Sequence, residues 1–322
     1  MPAFAVIDLD PARYVRHAVH AESQTWPEKN CYVDVFIELV HALGCEPLAL
    51  LPCVNAVDFV GDQWTFYKPP HDELRDLFGI EVQELTCWRP LIEHAEEHLA
   101  AGRLISTEAD AWWLPDTSGT DYRSQHTKST IILNRLDRGA RQLDYFHNAG
   151  YFRLDGEDFA RSFQLDQAPD PAFMPFYAEL IRIDRLQRLP AADLRAASRT
   201  LLRRHVERMP AANPLPRFAA RFARDLPDIT EQGLAYYHAW AFATVRQLGS
   251  AAELAAAHLD WLADPALGDA AAAWRDISVG AKAFILKAAR AVNARRALDA
   301  APILDAWAAS WQRAHAVLLE RA

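Results

Sequence analysis

The sequence is short of the residues that mark several common classes of protein. It has four cysteines, and no two of them form a C-x-x-C pair, which argues against a zinc site built from thiolates. No run of about 18 consecutive apolar residues is present, so no membrane-spanning helix is predicted. The N-terminal segment MPAFAVIDLDPARYVRHAVH lacks the basic stretch and apolar core of an export signal. These absences favour a cytoplasmic protein with reduced thiols.

A large excess of positive charge is also missing. The chain has 34 basic and 43 acidic residues and a net charge of −9, which argues against a protein that coats nucleic acid. Apolar residues make up 51% of the sequence and charged residues 24%, which is typical of globular proteins. Because 322 residues are too many for one hydrophobic core, we expect two domains.

The first part of the chain, residues 1–165, mixes helix and strand patterns. Apolar residues recur at helical spacing after Cys31, and Gly44 is a suitable stop, so a helix should begin near Cys31. Other predicted helices are HDELRDLFG and PLIEHAEEHLAAG, and other predicted strands are DQWTFYK, IEVQELTCW and RLISTEADAWWLP. The segments HTKSTIILNRLD and ARQLDYFHNAGYFRL predict a hairpin that turns at DRGA. Together these patterns predict an α+β domain.

From residue 166 onward the pattern changes. Ala, Leu and Arg dominate, and segments such as AADLRAASRTLLRRHVERM and AAELAAAHLDWLAD have helical periodicity. Alternation of the kind that marks strands is absent. We therefore predict an all-helical domain over residues 166–322.

Three residues follow the chain order of papain-like enzymes: a cysteine at a helix start, a histidine on a later strand, and an amide or carboxylate on the next strand. Cys31 is the candidate nucleophile, because a helix N-terminus and a nearby imidazolium favour the reactive thiolate form of a cysteine. His126 is the candidate base. Pairing across the DRGA turn places Asn148 near His126 and Asp144 farther along, so either can orient the imidazole. Ordinary packing of the thiol and the histidine is the alternative interpretation.

Four further residues are candidates for binding the substrate. Gln24 or Asn30, just before the candidate nucleophile, can join a backbone amide in holding an oxyanion. Trp64 either lines a substrate groove or belongs to the core. Asp110 is a further candidate for substrate binding.

Two charged patterns have both a functional and an ordinary interpretation. The segment 182–224 is rich in arginine, and Arg195, Arg199 and Arg203 lie four residues apart on one helix face. This face is either simply solvated or docks an acidic partner. The stretch HAEEH, residues 94–98, fits the zinc pattern H-x-x-E-H. A solvated helix face is the preferred interpretation and no third ligand is evident, so we predict no metal.

Six segments carry a resemblance to a bacterial family described only as a domain of unknown function: WPEKNCYVDVFIELVHALG, VDFVGDQWTFYK, GIEVQEL, EADAWWLPDT, HTKSTI and YFHNAGYF. That family in turn resembles butirosin biosynthesis protein H, an acyltransferase with a papain-like N-terminal domain and a helical C-terminal region. The resemblance implies that Cys31 accepts the acyl group and that His126 is the base. It leaves Asp144 or Asn148 as the third member, and ladder geometry favours Asn148.

The expected function is a cysteine-dependent acyltransferase. The resemblance implies transfer of an acyl or aminoacyl group from the phosphopantetheine thioester of a carrier protein to an amine or hydroxyl acceptor, with no other cofactor. The arginine-rich helix would then dock the carrier. Two alternatives stay open: a peptidase or amidase of the same fold, and a non-catalytic protein that binds a carrier protein or a peptide. Neither nucleic acid nor a membrane is an expected partner.

Overall fold

The computed structural model describes residues 4–166 and 177–322. Its strands are β1 (Phe4–Ala5), β2 (Phe59–Val60), β3 (Gln63–Trp64), β4 (Glu81–Leu85), β5 (Arg103–Asp110), β6 (Lys128–Asp137), β7 (Gln142–His147), β8 (Gly150–Asp155) and β9 (Ala178–Arg182). Its helices are α1 (Cys31–Ala42), α2 (His71–Phe78), α3 (Leu91–Ala100), α4 (Gly156–Ser162), α5 (Ala191–Val206), α6 (Leu215–Gln232), α7 (Leu234–Ala243), α8 (Val245–Trp261), α9 (Gly268–Asn293) and α10 (Ala301–Arg321).

The described residues form two compact units, and each unit contains segments that are separated in the sequence. The sheet unit comprises the residues up to His20, Asn30–Pro47 and Pro70–Leu189, and the helical unit comprises Ala21–Lys29, Leu48–Pro69 and Pro190–Ala322. This division differs from the single boundary that we predicted after residue 165. Local sequence patterns do not reveal that two early segments pack with helices much later in the chain. The stretch that follows the predicted boundary, residues 167–176, lies outside the described residues.

An antiparallel sheet forms the centre of the sheet unit. Its strand order is β4-β9-β5-β6-β7-β8, and β1 pairs with β6. Strand β9 corrects the prediction that only helices follow residue 166. Its segment AELIR pairs with β4 on one side and β5 on the other, so long-range pairing outweighs its local resemblance to a helix. The segment predicted as the second hairpin strand divides into β7 and β8, because the chain turns at Asn148, where φ is +43°.

Helix α1 confirms the prediction of a helix at Cys31. Asn30 caps it, because its side-chain oxygen accepts hydrogen bonds from the backbone amides of Tyr32 at 3.1 Å and Val33 at 2.8 Å. Helix α1 packs against β6, β7 and β8. Helix α3 packs against β5 and β6, where its apolar residues join a core that includes Ile131 and Leu133. The two helices therefore flank the central strand β6.

The helical unit contains α5 to α10 and the short β2-β3 hairpin. Helix α9 packs along both α8 and α10. Trp26 packs closely on α8 because position 249 is glycine, where an added Cβ would lie 2.6 Å from the indole. Its indole N–H donates a hydrogen bond to Ser278 of α9 at 3.0 Å. Among the described helices, none is both long enough and apolar enough to cross a membrane.

Candidate active site

Cys31 is the first residue of α1, and its side chain is half-buried. Its Sγ lies 3.7 Å from Oγ1 of Thr130 on β6, a distance at which the thiol donates a weak hydrogen bond to the hydroxyl. The first backbone amides of α1 have no acceptor within the helix, and the Asn30 side chain accepts from two of them; this end of the helix dipole attracts negative charge. Helix α1 therefore holds the Cys31 thiol at its N-terminal end, against β6.

His126 lies just before β6, and the carboxylate of Asp110 at the end of β5 contacts it. The distance from His126 Nδ1 to Asp110 Oδ2 is 2.6 Å. The imidazole also stacks on the indole of Trp112, with ring centroids 4.6 Å apart and ring planes within 11° of parallel. Because the carboxylate accepts the Nδ1 proton, Nε2 carries the lone pair that a general base needs. The His126 side chain is 68% exposed, so substrate can reach it.

The thiol and the imidazole lie on one face of the sheet. In the β5-β6 ladder, Glu108 is opposite Thr130 and Asp110 is opposite Lys128, and directly opposed residues point to the same face. The Asp110 position is two residues along the ladder from Thr130, a separation of about 7 Å. Cys31 and the His126–Asp110 pair are thus neighbours on this face without a direct hydrogen bond between thiol and imidazole.

The two residues that we predicted as partners of His126 lie elsewhere. Asp144 is buried and forms a bidentate ion pair with Arg153, with distances of 2.6 Å to Nε and 2.9 Å to the terminal nitrogen. Asn148 lies in the turn between β7 and β8. The carboxylate against His126 is Asp110, which the sequence analysis named only as a substrate-binding candidate. It was missed as an orienting residue because we considered only the strand after His126, whereas Asp110 ends the strand before it.

A second polar group that the sequence analysis missed lies around Glu179 on β9. Tyr32, which follows the candidate nucleophile, donates a hydrogen bond to this buried carboxylate at 3.1 Å, and Tyr177 donates another at 2.9 Å. His71 Nε2 lies 2.7 Å from the Tyr32 hydroxyl. Burial, then hydrogen bonding to Glu179, raises the pKa of Tyr177 to about 12, and the pKa of Tyr32 is raised for the same reasons. Both phenols therefore stay protonated and act as donors.

The remaining substrate-binding candidates have other positions. Gln24 and Trp64 belong to segments of the helical unit, where Trp64 is buried against Phe59 and Phe218. The side-chain oxygen of Asn30 is occupied by the cap of α1. Trp64 therefore has the packing role that the sequence analysis gave as its alternative.

The arginine face proposed for docking a carrier already makes contacts within the helical unit. Arg195 donates to the carbonyl of Trp261 at 3.0 Å and lies over its indole. Arg199 contacts Asp264, and Arg203 donates to the carbonyl of Ala322 at 3.0 Å. Carbonyls at helix C-termini attract cations, so these arginines cap neighbouring helices.

The HAEEH stretch lies on α3. Glu97, the residue that would activate water in a zinc site, contacts Arg89. The rings of His94 and His98 are stacked with centroids 6.4 Å apart. In residues 4–166 and 177–322, no group of three or more histidine, cysteine or acidic side chains is arranged to hold a metal ion.

Two other cysteines differ from Cys31 in their surroundings. Burial raises the pKa of the Cys45 and Cys87 thiols, so less of each is present as the reactive thiolate at neutral pH. Neither belongs to a helix, whereas Cys31 begins α1. They provide matched controls for chemistry at Cys31.

The fold and the site together define an α+β protein with a mainly helical second unit and a cysteine at the start of a sheet-packed helix. Residues 15–183 match the DUF1839 N-terminal domain and residues 191–320 match the DUF1839 C-terminal domain. The chain therefore belongs to the DUF1839 family. No curated protein matches it.

Proposed function

We propose that the protein is a cysteine-dependent acyltransferase that uses Cys31 to accept an acyl or aminoacyl group from a phosphopantetheine thioester. The observation that carries this proposal is the half-buried thiol at the start of α1, on the same sheet face as the His126–Asp110 pair. The resemblance of the family to butirosin biosynthesis protein H, stated in the sequence analysis, is the reason for proposing a papain-like arrangement and a carrier-protein donor.

The proposed reaction has two acyl-transfer steps, and His126 carries a proton in each. His126 first takes the proton of the Cys31 thiol. The resulting thiolate attacks the thioester carbonyl, the bond to the phosphopantetheine sulfur breaks, and that sulfur leaves as a thiol after taking the proton from His126. The acceptor amine, after losing its ammonium proton to solvent, attacks the Cys31 thioester and transfers a further proton to His126, while the bond between the carbonyl carbon and Cys31 Sγ breaks. The products are an amide and the Cys31 thiolate, which takes the proton back from His126 to restore the free thiol. Water in place of the amine would give a carboxylic acid by the same route.

The thiol of Cys31 and the imidazole of His126 are not hydrogen-bonded to each other, so binding of the donor must bring them together. The Thr130 hydroxyl lies 3.7 Å from the resting thiol, and the exposed imidazole of His126 is held by Asp110 and Trp112 rather than by Cys31. Catalytic hydrogen bonds are often long before substrate binds and tighten in the complex. In this proposal, the thioester fills the space between the two groups and the imidazole turns toward the sulfur.

Carboxylates on this face support an amine rather than a hydroxyl acceptor. Glu84 is directly opposite Glu179 on the neighbouring strand, and Glu108 also points to this face. Lys128 pairs with Glu108 at 2.8 Å and balances one of these charges. The remaining negative potential attracts a protonated amine toward the thioester.

Intact-mass spectrometry with acetyl- and aminoacyl-S-pantetheine tests the first step. We expect an acyl adduct on the wild-type protein and on Cys87→Ala, and none on Cys31→Ala. His126→Gln should form the adduct more slowly while circular dichroism stays unchanged. An adduct of equal yield on Cys31→Ala, or none on the wild-type protein, would contradict the proposal.

Addition of ethanolamine to the purified acyl-enzyme separates transfer from hydrolysis. Transfer predicts that the adduct persists in buffer and disappears with formation of the ethanolamide, a product identified by mass. Release of the free acid at the same rate with and without the amine would favour the peptidase or amidase alternative instead.

A further inference from the structure

A second group of polar residues lies on the opposite face of the same strand. Ser129 is adjacent to Thr130 in β6 and therefore points away from Cys31. Its Oγ lies 2.6 Å from Nε2 of His147 on β7, and His147 Nδ1 lies 2.5 Å from Oδ2 of Asp116. The Tyr145 hydroxyl also contacts the Asp116 carboxylate. Because the carboxylate accepts the Nδ1 proton, the Ser129 hydroxyl donates to Nε2.

The hydrogen-bonded group of Ser129, His147 and Asp116 has the residue types of a serine-hydrolase triad, but the burial of these side chains argues against that chemistry. Ser129 is 7% exposed and His147 is fully buried, and the Asp116 side chain is 4% exposed. A nucleophile must reach a substrate carbonyl within about 3 to 3.5 Å. These buried hydrogen bonds instead connect Asp116 to strands β6 and β7 of the sheet.

Asp116 belongs to the segment between Asp110 and His126, the two residues that are paired in the candidate site. This joining segment, residues 111–127, follows Asp110 directly and contains His126. Its own hydrogen bonds hold it together: the Thr117 hydroxyl donates to the Leu114 carbonyl at 2.9 Å, and the Arg123 amide donates to the Trp112 carbonyl at 3.1 Å.

Contacts at the start of the joining segment reach the imidazole. The backbone amide of Trp112 donates to Asp110 Oδ1 at 3.0 Å, while Asp110 Oδ2 contacts His126. The Trp112 indole stacks on the same imidazole. Asp110 and Trp112 thus define the orientation of His126, and the joining segment defines the position of Trp112.

We infer that Asp116, His147 and Ser129 are positioning residues that fix the joining segment on the sheet and thereby orient the His126 imidazole toward the face that carries Cys31. The geometry that carries this inference is the buried Ser129–His147–Asp116 chain beneath the segment that bears Trp112. The catalytic consequence of this orientation rests on the proposed function.

Nuclear magnetic resonance of the histidine rings tests this inference without any assay of activity. The signals that disappear in His126→Gln are those of the His126 ring. Trp112→Leu shows the chemical shifts of these signals when the stacked indole is absent. We expect Asp116→Asn and Ser129→Ala to move the His126 signals toward those of Trp112→Leu. Ser129→Thr, which retains the hydroxyl, should leave them closer to wild type.

A matched control separates positioning from a general loss of stability. Tyr151→Phe removes another buried hydrogen bond of this sheet, in which Asn134 donates to the Tyr151 hydroxyl at 2.7 Å. This variant should leave the His126 signals in place. Unchanged His126 signals in folded Ser129→Ala and Asp116→Asn, as in Tyr151→Phe, would overturn the inference.

The rate of acyl-adduct formation provides a second readout. Misplacement of a catalytic group by about 1 Å can lower a rate up to about 100-fold. We expect Asp116→Asn to slow adduct formation by a factor in that range, with little change in the donor concentration that gives half the maximal rate. If the wild-type protein forms no adduct, the proposed function fails, while the ring signals still decide the positioning role.

Discussion

The two units bury different kinds of polar group. In the sheet unit, ionisable side chains contact one another where at least one of them is buried: His20, Asp34 and Glu38 are all buried, and the buried Asp144 pairs with Arg153, whose side chain is 41% exposed. In the helical unit, most buried polar residues are neutral, and arginine–carboxylate pairs lie at or near the surface. The Lys29–Glu253 pair at 3.6 Å is an exception.

Two buried histidines illustrate the difference. His147 in the sheet unit has a partner on each ring nitrogen, Ser129 and Asp116. His258 in the helical unit has Ser198 on Nε2 at 2.9 Å, whereas its Nδ1 is buried without a hydrogen-bond partner. The two partners of His147 fix its ring on both sides, whereas the His258 ring is fixed by a hydrogen bond on one side only.

The largest effect is expected where an ion pair of the sheet unit is broken. Arg153→Ala leaves the buried carboxylate of Asp144 without its bidentate partner, which should lower the free energy of unfolding by about 2 to 3 kcal/mol, because water already reaches the half-exposed guanidinium. Arg75→Ala, which removes an exposed contact with Asp76, is the control and should cost less than about 1 kcal/mol. Urea unfolding measures both. If both variants lost the same small free energy of unfolding, burial of the Asp144 carboxylate would not strengthen its ion pair.

Two glycines, one in each unit, allow a crowded backbone position to be compared with an open one. Gly79 has φ of +69°, and an added Cβ would lie 2.0 Å from the carbonyl oxygen of Arg185. Gly61 in the helical unit has φ of +67° with nothing within 4 Å. Gly61→Ala should therefore cost only the left-handed strain of about 1 kcal/mol, and Gly79→Ala at least about 2 kcal/mol. Similar losses in thermal unfolding would show that the neighbouring carbonyl moves aside easily.

Acid should weaken the helical unit through His258. Burial, with a smaller contribution from His205, lowers the pKa of His258 from 6.5 to about 3. The unfolded chain therefore takes up the proton first, so this contribution to stability is present above pH 6.5 and is lost as the pH falls toward 3. One such group costs up to about 1.4 kcal/mol per pH unit, or about 2 kcal/mol between pH 7.5 and pH 5.

Hydrogen exchange of α8 peptides at several pH values measures this loss. His258→Gln should flatten the pH dependence of exchange, because it removes the titrating ring. The control is His238→Gln, which changes an exposed histidine and should follow the wild-type curve. In the sheet unit, burial raises the pKa of Glu38 but its bonds to His20, Tyr14 and the backbone of His17 outweigh this and lower it. That contribution is lost only below about pH 4.5, so α8 should loosen before α1 as the pH falls.

The sequence predicted the local part of the site better than the long-range part. The helix at Cys31 followed from the spacing of apolar residues and the polar residue before it. The carboxylate beside His126 did not, because a hairpin count considers only the strand that follows, while β5 pairs on the other side of β6. Strand β9 was read as helix for a related reason, since its pairing with β4 and β5 spans many residues. Pairing partners distant in the chain leave no local pattern.

The smallest effect is expected at the surface of the helical unit. Arg275 lies 2.5 Å from Asp260, with side chains that are 49% and 54% exposed, and water solvates both charges when the pair is broken. Arg275→Ala should therefore change the free energy of unfolding by less than about 1 kcal/mol, and salt at about 1 M should remove most of that difference because it screens exposed charges. A loss as large as that of Arg153→Ala would mean that exposure does not control the strength of these ion pairs. The contrast between the units would then lie in their packing rather than in where they place charge.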